Sequence, residues 1–218
     1  MKTVCFIPIK LNNERTPGKN LKRFGDGTPL ISLIERTMLK IKGIDEIYVY
    51  CSDDRIQEYI PEGIRYLKRP DSLDTSAVRC NDIIEAFVNT VKADIYVMAH
   101  ATSPFVTSAH IQQCVDAVKS GSYDSAYAAV KMQNFVWYQN KPLNFSIANN
   151  VRTQDMEPIW VELSTPFVFT RSVFELYKGR TGVLPYRCEC SNVEGIDIDY
   201  PEDFALADLV YGSNLVEV

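Results

Sequence analysis

A surplus of positive charge is missing from this chain: its 218 residues carry 23 Lys and Arg against 28 Asp and Glu, a formal net charge of -5. Non-specific binding along nucleic acid rests on such a surplus, so a polymer partner is excluded and a nucleotide is the better expectation. Long apolar runs are missing too. The N-terminal run Val4 to Ile9 is far too short for a signal-peptide core or a membrane span, and no later run is longer, which predicts a cytoplasmic protein with no membrane partner. No low-complexity tract interrupts the chain, and 46% hydrophobic with 23% charged residues is ordinary for a folded domain. Cys188 and Cys190 form C-x-C without the second pair that a zinc ribbon needs. The other cysteines, Cys5, Cys51, Cys80 and Cys114, are scattered. Buried free thiols are expected throughout.

What is present reads as one α/β domain over residues 1–218. Thr3 to Ile9 is an apolar, β-branched run with the character of a strand. Ile31, Ile34, Met38 and Ile41 then recur at three- and four-residue intervals, a helix closed by Gly43, and Glu46 to Cys51 is a second strand. Together they predict a right-handed βαβ unit. Ser52-Asp53 is placed to cap a helix immediately after that strand. An extended piece at Gly63 to Leu67 precedes a helix with stripe Ala77, Cys80, Ile84, Phe87 and Val91. Asp94 to Ala99 is a strand near the middle of the sheet, followed by a helix capped by Thr107 with stripe Ile111, Cys114, Val115 and Val118. The period then becomes confused. Ala126 to Val130 and Phe135 to Tyr138 are strand-like, and residues of about 131–165 read as an insertion.

The chemistry concentrates in the loop after the first strand, I-P-I-K-L-N-N-E-R-T-P-G-K-N-L-K-R-F from Ile7 to Phe24. It sets Lys10, Arg15, Lys19, Lys22 and Arg23 against the single acid Glu14, with a Pro17-Gly18 turn, at the strand-to-helix crossover where open α/β sheets bind ligands. Such a loop suits a polyphosphate, because its cations and freed backbone N–H groups favour the same charge. Neither the P-loop spacing nor the dinucleotide fingerprint is present. A second signal lies at Gly195 to Phe204, G-I-D-I-D-Y-P-E-D-F, where Asp197 and Asp199 alternate on a strand and Pro201 opens a helix with Phe204, Ala207 and Tyr211 recurring. Two carboxylates on one face suit a hard cation such as magnesium beside phosphates. Tyr200 is a poor helix cap, so Asp199 or a water is expected to cover the free N–H groups.

These landmarks resemble the CMP-sugar synthetases, the acylneuraminate and 3-deoxy-manno-octulosonate cytidylyltransferases. I-P-I-K with N-E-R-T-P-G-K-N-L resembles their signature loop, and D-I-D-Y-P-E-D matches their D-I-D-T-P-E-D at all but Tyr200. K-R-P-D-S-L-D-T and H-A-T-S-P-F support the likeness, with Val78 where the family often has Ser, His100 where it has Gln and Ala101 where it has Pro. The resemblance implies a Rossmann-like, three-layer αβα nucleotidyltransferase fold with a mostly parallel sheet and a small insertion or dimerisation arm. It implies transfer of CMP from CTP to an anionic sugar acid, a nonulosonate such as N-acetylneuraminate or a relative, with release of pyrophosphate, in surface glycan biosynthesis. Magnesium is the implied cofactor and a homodimer the implied assembly.

By the same resemblance Lys10, Asn12, Arg15, Lys19, Asn20, Arg69 and Thr75 hold the nucleotide, Asp197 and Asp199 hold the metal, and His100, Thr102 and Ser103 meet the acceptor. Lys10, Lys19 and Asp199 carry the catalytic roles, with Asp199 or a hydroxide on the metal as general base. His110, on a helix's first turn, is read as solvent-facing. The aromatic residues Phe135, Trp137, Tyr138 and Trp160 are either an interface or a cover for the home sheet. Where sialic-acid enzymes have R-P-N-G, this chain has E-L-S-T-P-F-V-F from Glu162, which leaves the acceptor open. Two other classes stay open: a metal-dependent nucleotide-sugar glycosyltransferase, and a nucleotide-binding module without turnover.

Overall fold

The structure, a computed structural model, describes residues 1–149, 151–213, 215 and 216; Asn150, inside the expected insertion, lies outside them. Its strands are β1 (Thr3–Ile9), β2 (Glu46–Cys51), β3 (Arg65–Lys68), β4 (Ile95–Met98), β5 (Ser125–Met132), β6 (Trp137–Tyr138), β7 (Lys141–Pro142), β8 (Ile159–Thr170) and β9 (Pro185–Cys190). Seven of them form one sheet in the order β3-β2-β1-β4-β8-β5-β9, and β6 pairs with β7 in a separate hairpin. Within the sheet β8 alone runs against its neighbours, antiparallel to both β4 and β5. The remaining pairings are parallel.

Both sheet faces are covered, which is why the central strands are apolar without a break. Along β1, Cys5, Ile7 and Ile9 enter one core and Val4 and Phe6 the other. Helices α1 (Leu30–Leu39) and α3 (Ser108–Lys119) bury Ile31, Ile34, Met38, Ile111, Cys114, Val115 and Val118 in the first core. Helices α2 (Cys80–Thr90) and α4 (Arg171–Tyr177) bury Ile84, Phe87, Val173 and Phe174 in the second. The result is the expected three-layer αβα fold. One buried group stands out: Glu35 on α1 is 1% exposed, its Oε1 has no hydrogen-bond partner, and burial pushes its carboxyl up to about 8.

Several boundaries differ from expectation for identifiable reasons. α1 ends at Leu39, so Ile41 and Gly43 belong to the turn beyond it, where Gly43 takes φ 80. Asp53 does act as a cap, accepting from the Arg55 N–H at 3.0 Å, but the element it opens is a 3-10 turn over Asp54–Tyr59. A second 3-10 turn at Asp71–Asp74 delays α2 to Cys80, leaving Ala77 exposed and outside the helix. β8 begins at Ile159 inside the main sheet, so the excursion from the sheet is confined to the stretch between Met132 and Ile159.

A third core joins the two ends of the chain. Helix α5 (Pro201–Tyr211) contributes Phe204 and Ala207, which pack with Phe24, Leu30, Leu33, Phe105 and Ile198. The Phe24 and Phe204 rings stack with centroids 5.1 Å apart, and Tyr211 lies 4.6 Å from Phe24. Burying each such ring contributes about 1.5–3 kcal/mol. Because β1, β2, β3 and β4 point the same way, the loops after them emerge at one sheet edge, and strand order reverses between β1 and β4. That edge is where doubly wound sheets hold ligands.

Candidate functional site

The loop after β1 and the loop after β3 enclose a cleft of about 380 Å³, lined by Lys10, Asn13, Glu14, Arg15, Thr16 and Lys19 on one side and by Arg69, Thr75 and Ser76 among others on the second. Gly18, with φ 69, leads into the 3-10 turn Lys19–Leu21 that turns Lys19 inward. The Asn20 amide donates to the Lys10 carbonyl at 2.8 Å. Asn20 therefore pins the loop to its own first residue and does not line the cleft. Lys22 sits 4.1 Å above the Phe204 ring and Arg23 donates to the Gly27 carbonyl at 2.7 Å, so two of the five loop cations face away.

Arg69 is 2% exposed, donates to Asp74 and keeps its Nε without a partner while lining the cleft. Asp74 also accepts from the Ser52 hydroxyl, tying the loops after β2 and β3 together. Asn12 departs from expectation. It lines a separate depression with Ser52, Asp53, Arg55 and Lys68. Its neighbour Asn13, which sequence reasoning passed over, lines the cleft with a buried, unpartnered Oδ1. A polar atom without a partner beside a cationic wall is a natural contact for a ligand.

The acidic pair comes to the same place. Ile196 to Asp199 joins no sheet, which corrects the expectation of a strand; between the two aspartates Ile198 is fully buried in the third core. The Ile198 N–H donates to the Thr102 carbonyl at 2.8 Å, so the T-S-P loop holds the segment through its backbone. Thr102 and Ser103 do not line the cleft; the Ser103 N–H closes a turn onto the His100 carbonyl at 3.3 Å.

Asp199 is the meeting point. Arg15 Nη1 lies 2.7 Å from its Oδ2 and Lys19 Nζ 3.1 Å from its Oδ1, while Lys19 also donates to the Ile198 carbonyl at 2.7 Å and Thr16 Oγ1 to the Asp199 carbonyl at 2.9 Å. The Lys19 side chain is 9% exposed and that of Arg15 53%, so the Lys19 contact is the less screened of the two. Asp199 does not cap α5, as had been expected. Asp203, at the helix's third position, accepts from the Asp199 and Tyr200 N–H groups at 3.0 and 2.7 Å, because Tyr200 leaves the cap to a side chain inside the helix.

Asp197 is exposed and accepts from the Ser164 hydroxyl at 2.7 Å. Beside it His100 Nδ1 lies 2.6 Å from the Ser164 carbonyl. A carbonyl only accepts, so Nδ1 carries the hydrogen and Nε2 of the neutral ring presents a lone pair. Burial holds the imidazole below its ordinary value of 6.5, with Arg180 adding to the effect. Arg180 was not anticipated. It lies 3.5 Å from the Phe167 ring centroid and donates to Glu162 at 3.0 Å, placing a cation on the His100 side, where the sequence shows only Glu162.

Two hard carboxylates flanking a buried residue, one exposed and one beside a cationic cleft, fit magnesium in donor type. His110 is not solvent-facing: its Nδ1 lies 2.6 Å from Glu194 Oε1. Phe135, Trp137 and Tyr138 are exposed at 41%, 58% and 61%, and Phe135 and Trp137 pack on Phe145 within the hairpin region. Trp160 belongs instead to β8, where Arg187 lies 3.7 Å from its ring centroid.

The cytidylyltransferase family model matches residues 4–216. The N-acylneuraminate cytidylyltransferase of Oncorhynchus mykiss is 25% identical over 209 residues, covering 90% of this chain and 48% of that protein. The 3-deoxy-manno-octulosonate cytidylyltransferase 2 of Hydrogenovibrio crunogenus is 29% identical over 128 residues, 58% of this chain and 51% of its own length. The chain thus spans about half the length of these curated relatives. In fold it is similar to CMP:2-keto-3-deoxy-manno-octonic acid synthetase complexed with CTP, at TM-score 0.71 and 16% identity over 97% of this chain and 98% of that one. The 4-diphosphocytidyl-2C-methyl-D-erythritol synthase of Anaerococcus prevotii aligns at TM-score 0.69 and 14% identity, over 97% and 96% of the two chains.

Proposed function

Because the chain belongs to the cytidylyltransferase family, we propose that it transfers CMP from CTP to an anionic sugar acid of the nonulosonate or octulosonate class and releases pyrophosphate. The carrying observation is the junction of Arg15, Lys19 and Asp199 at the mouth of the cleft, which joins the basic loop to the acidic segment from 180 residues later.

In this reading the triphosphate lies along Lys10, Arg15 and Lys19, which neutralise charge that grows on the departing pyrophosphate, and the nucleoside end lies toward Arg69, Thr75 and Asn13. Magnesium, held by Asp197 and Asp199, would supply further neutralisation of the phosphates and a lower pKa for a hydroxyl bound to it. The acceptor lies on the His100 side, with the lone pair of Nε2 accepting from a hydroxyl other than the attacking one and Arg180 facing its carboxylate. The hydroxyl oxygen forms its bond to the α-phosphorus, the bond from that phosphorus to the bridging oxygen of pyrophosphate breaks, and the hydroxyl proton passes to Asp199. Most of the acceleration comes from positioning and charge neutralisation.

The exposed aromatic hairpin supports a homodimer, and the absence among the described residues of a helix long and apolar enough to cross a membrane is compatible with work in the cytoplasm. A role in surface glycan synthesis follows from the product class. The test is incubation with CTP, magnesium and a panel of sugar acids, reading pyrophosphate release and the mass of the nucleotide product. A CMP adduct of one acid supports the proposal. CTP hydrolysis without an adduct, or no turnover across the panel, overturns it.

A further inference from the structure

The C-x-C of β9 lacks a partner pair only in sequence. Cys188 and Cys190 point to one face and are 1% and 6% exposed, in the same core as Cys114 of α3. One helical turn before Cys114 stands His110, and just after β9 a turn brings in Glu194, 5% exposed. A His110 ring nitrogen, Cys190 Sγ and a Glu194 carboxylate oxygen all lie within 4.8 Å of one another. From this geometry we infer that His110, Cys190 and Glu194 form a binding site for one zinc-class divalent ion, which fastens α3 to the turn leading into Asp197.

The donor set decides the class of ion. Imidazole and thiolate suit zinc or cobalt, whereas magnesium and calcium take oxygen donors. The size also suits. Ligands about 2.0–2.3 Å from a tetrahedral ion stand roughly 3.3–3.8 Å apart, so the three atoms need only small movements. One of them is the opening of the 2.6 Å His110 to Glu194 contact by roughly 1 Å as the ion displaces the proton they share.

Supporting contacts are already made. Glu194 Oε2 accepts from the Ser191 N–H and hydroxyl at 2.9 Å each, and Oε1 accepts from the Thr107 N–H at 3.1 Å. Such outer contacts orient a ligating carboxylate. The His110 side chain, 28% exposed against 6% for Glu194, marks the way in and the open fourth position. The site lies outside the cleft and uses none of the residues assigned to CTP or to magnesium. Its role is structural: Gly195 and Ile196 lead from Glu194 straight to Asp197.

The experiment uses the full chain, purified without a histidine tag, stripped with a chelator and titrated with Zn2+ or Co2+. With magnesium present in excess throughout, the expected result is one zinc or cobalt ion per chain by native mass spectrometry, a near-ultraviolet thiolate-to-cobalt absorption, and a melting temperature above that with magnesium alone. Cys190→Ser removes the absorption. His110→Gln, at a partly exposed helix start that tolerates the change, weakens zinc affinity beyond the roughly 10–100-fold loss that outer-contact changes cause. Absence of the thiolate band in the wild-type chain overturns the proposal. So does a folded Cys190→Ser or His110→Gln chain that binds zinc as tightly as the wild type.

Discussion

Replacing Asp199 by Asn separates what this carboxylate does for the fold from what it does for the reaction. Two cations converge on it, Arg15 at 2.7 Å and Lys19 at 3.1 Å. The Arg15 pair is exposed and contributes about 0–1 kcal/mol. Lys19 is nearly buried, yet it keeps the Ile198 carbonyl at 2.7 Å, and an Asn oxygen can still accept from it. The loss is therefore closer to one charge-assisted hydrogen bond, about 1.5–3 kcal/mol, than to an orphaned buried charge. At about 2–4 °C per kcal/mol for a chain of this size, melting should fall by roughly 3–12 °C. Turnover should fall much further, by at least about 10²–10³-fold, the typical cost of removing one transition-state contact.

Affinity for metal-free CTP supplies the sharper criterion. Asp199 competes with the triphosphate for Arg15 and Lys19, so its neutralisation should leave metal-free binding unchanged or tighter while kcat collapses. Calorimetry with CTP in chelator, set beside pyrophosphate release in magnesium, reads both. Turnover within a few-fold of wild type would refute the reasoning, as would a tenfold loss of metal-free CTP affinity in a chain that still melts cooperatively.

Other contacts give three more expected outcomes. Arg180→Gln should raise the acceptor KM at least about tenfold, the worth of one charge-assisted contact, and leave the CTP KM unchanged; equal shifts in both would remove Arg180 from the acceptor side. Phe204→Ala deletes the ring stacked on Phe24 and should cost about 3–5 kcal/mol, read by urea denaturation, with activity falling in parallel as the acidic segment loses its anchor. Glu35, with a folded value near 8 against an ordinary 4.5, costs no stability below the lower value and progressively more as pH rises toward the higher. Glu35→Gln should therefore gain roughly 2–4 kcal/mol on the wild type between pH 5 and pH 8, and equal denaturation midpoints at pH 8 would contradict this.

The parts legible in the sequence were those with a short period or a short-range motif. The apolar run Val4 to Ile9, the helical stripe from Ile31 to Met38 and the capping Thr107 are local patterns, and each appears where expected. The Lys19 to Asp199 junction was legible as two separate motifs that required each other chemically. What stayed hidden depends on partners far apart in the chain. The Glu194 contact that turns His110 from a solvent-facing residue into a paired one comes from 84 positions later. Arg180 lies in an unremarkable stretch and gains meaning only when β8 carries Glu162 and Phe167 to it. Asp203 took the cap because its place inside the helix lets it reach back to two N–H groups, leaving Asp199 turned toward the cations.

The packing of Phe24 against Phe204 has a consequence for the order of events during synthesis. The basic loop emerges from the ribosome early, but the carboxylate that it meets, and the helix that clasps it, arrive some 180 residues later. Until then the cations at Arg15 and Lys19 have no acid to answer them. A nascent chain therefore passes through a long interval in which most of its sheet can form while the phosphate-facing wall is bare, and competence arrives abruptly with residues 197–211. A chain cut just ahead of Asp197 keeps every strand of the sheet but lacks both the carboxylate and the clasp, and should be inert.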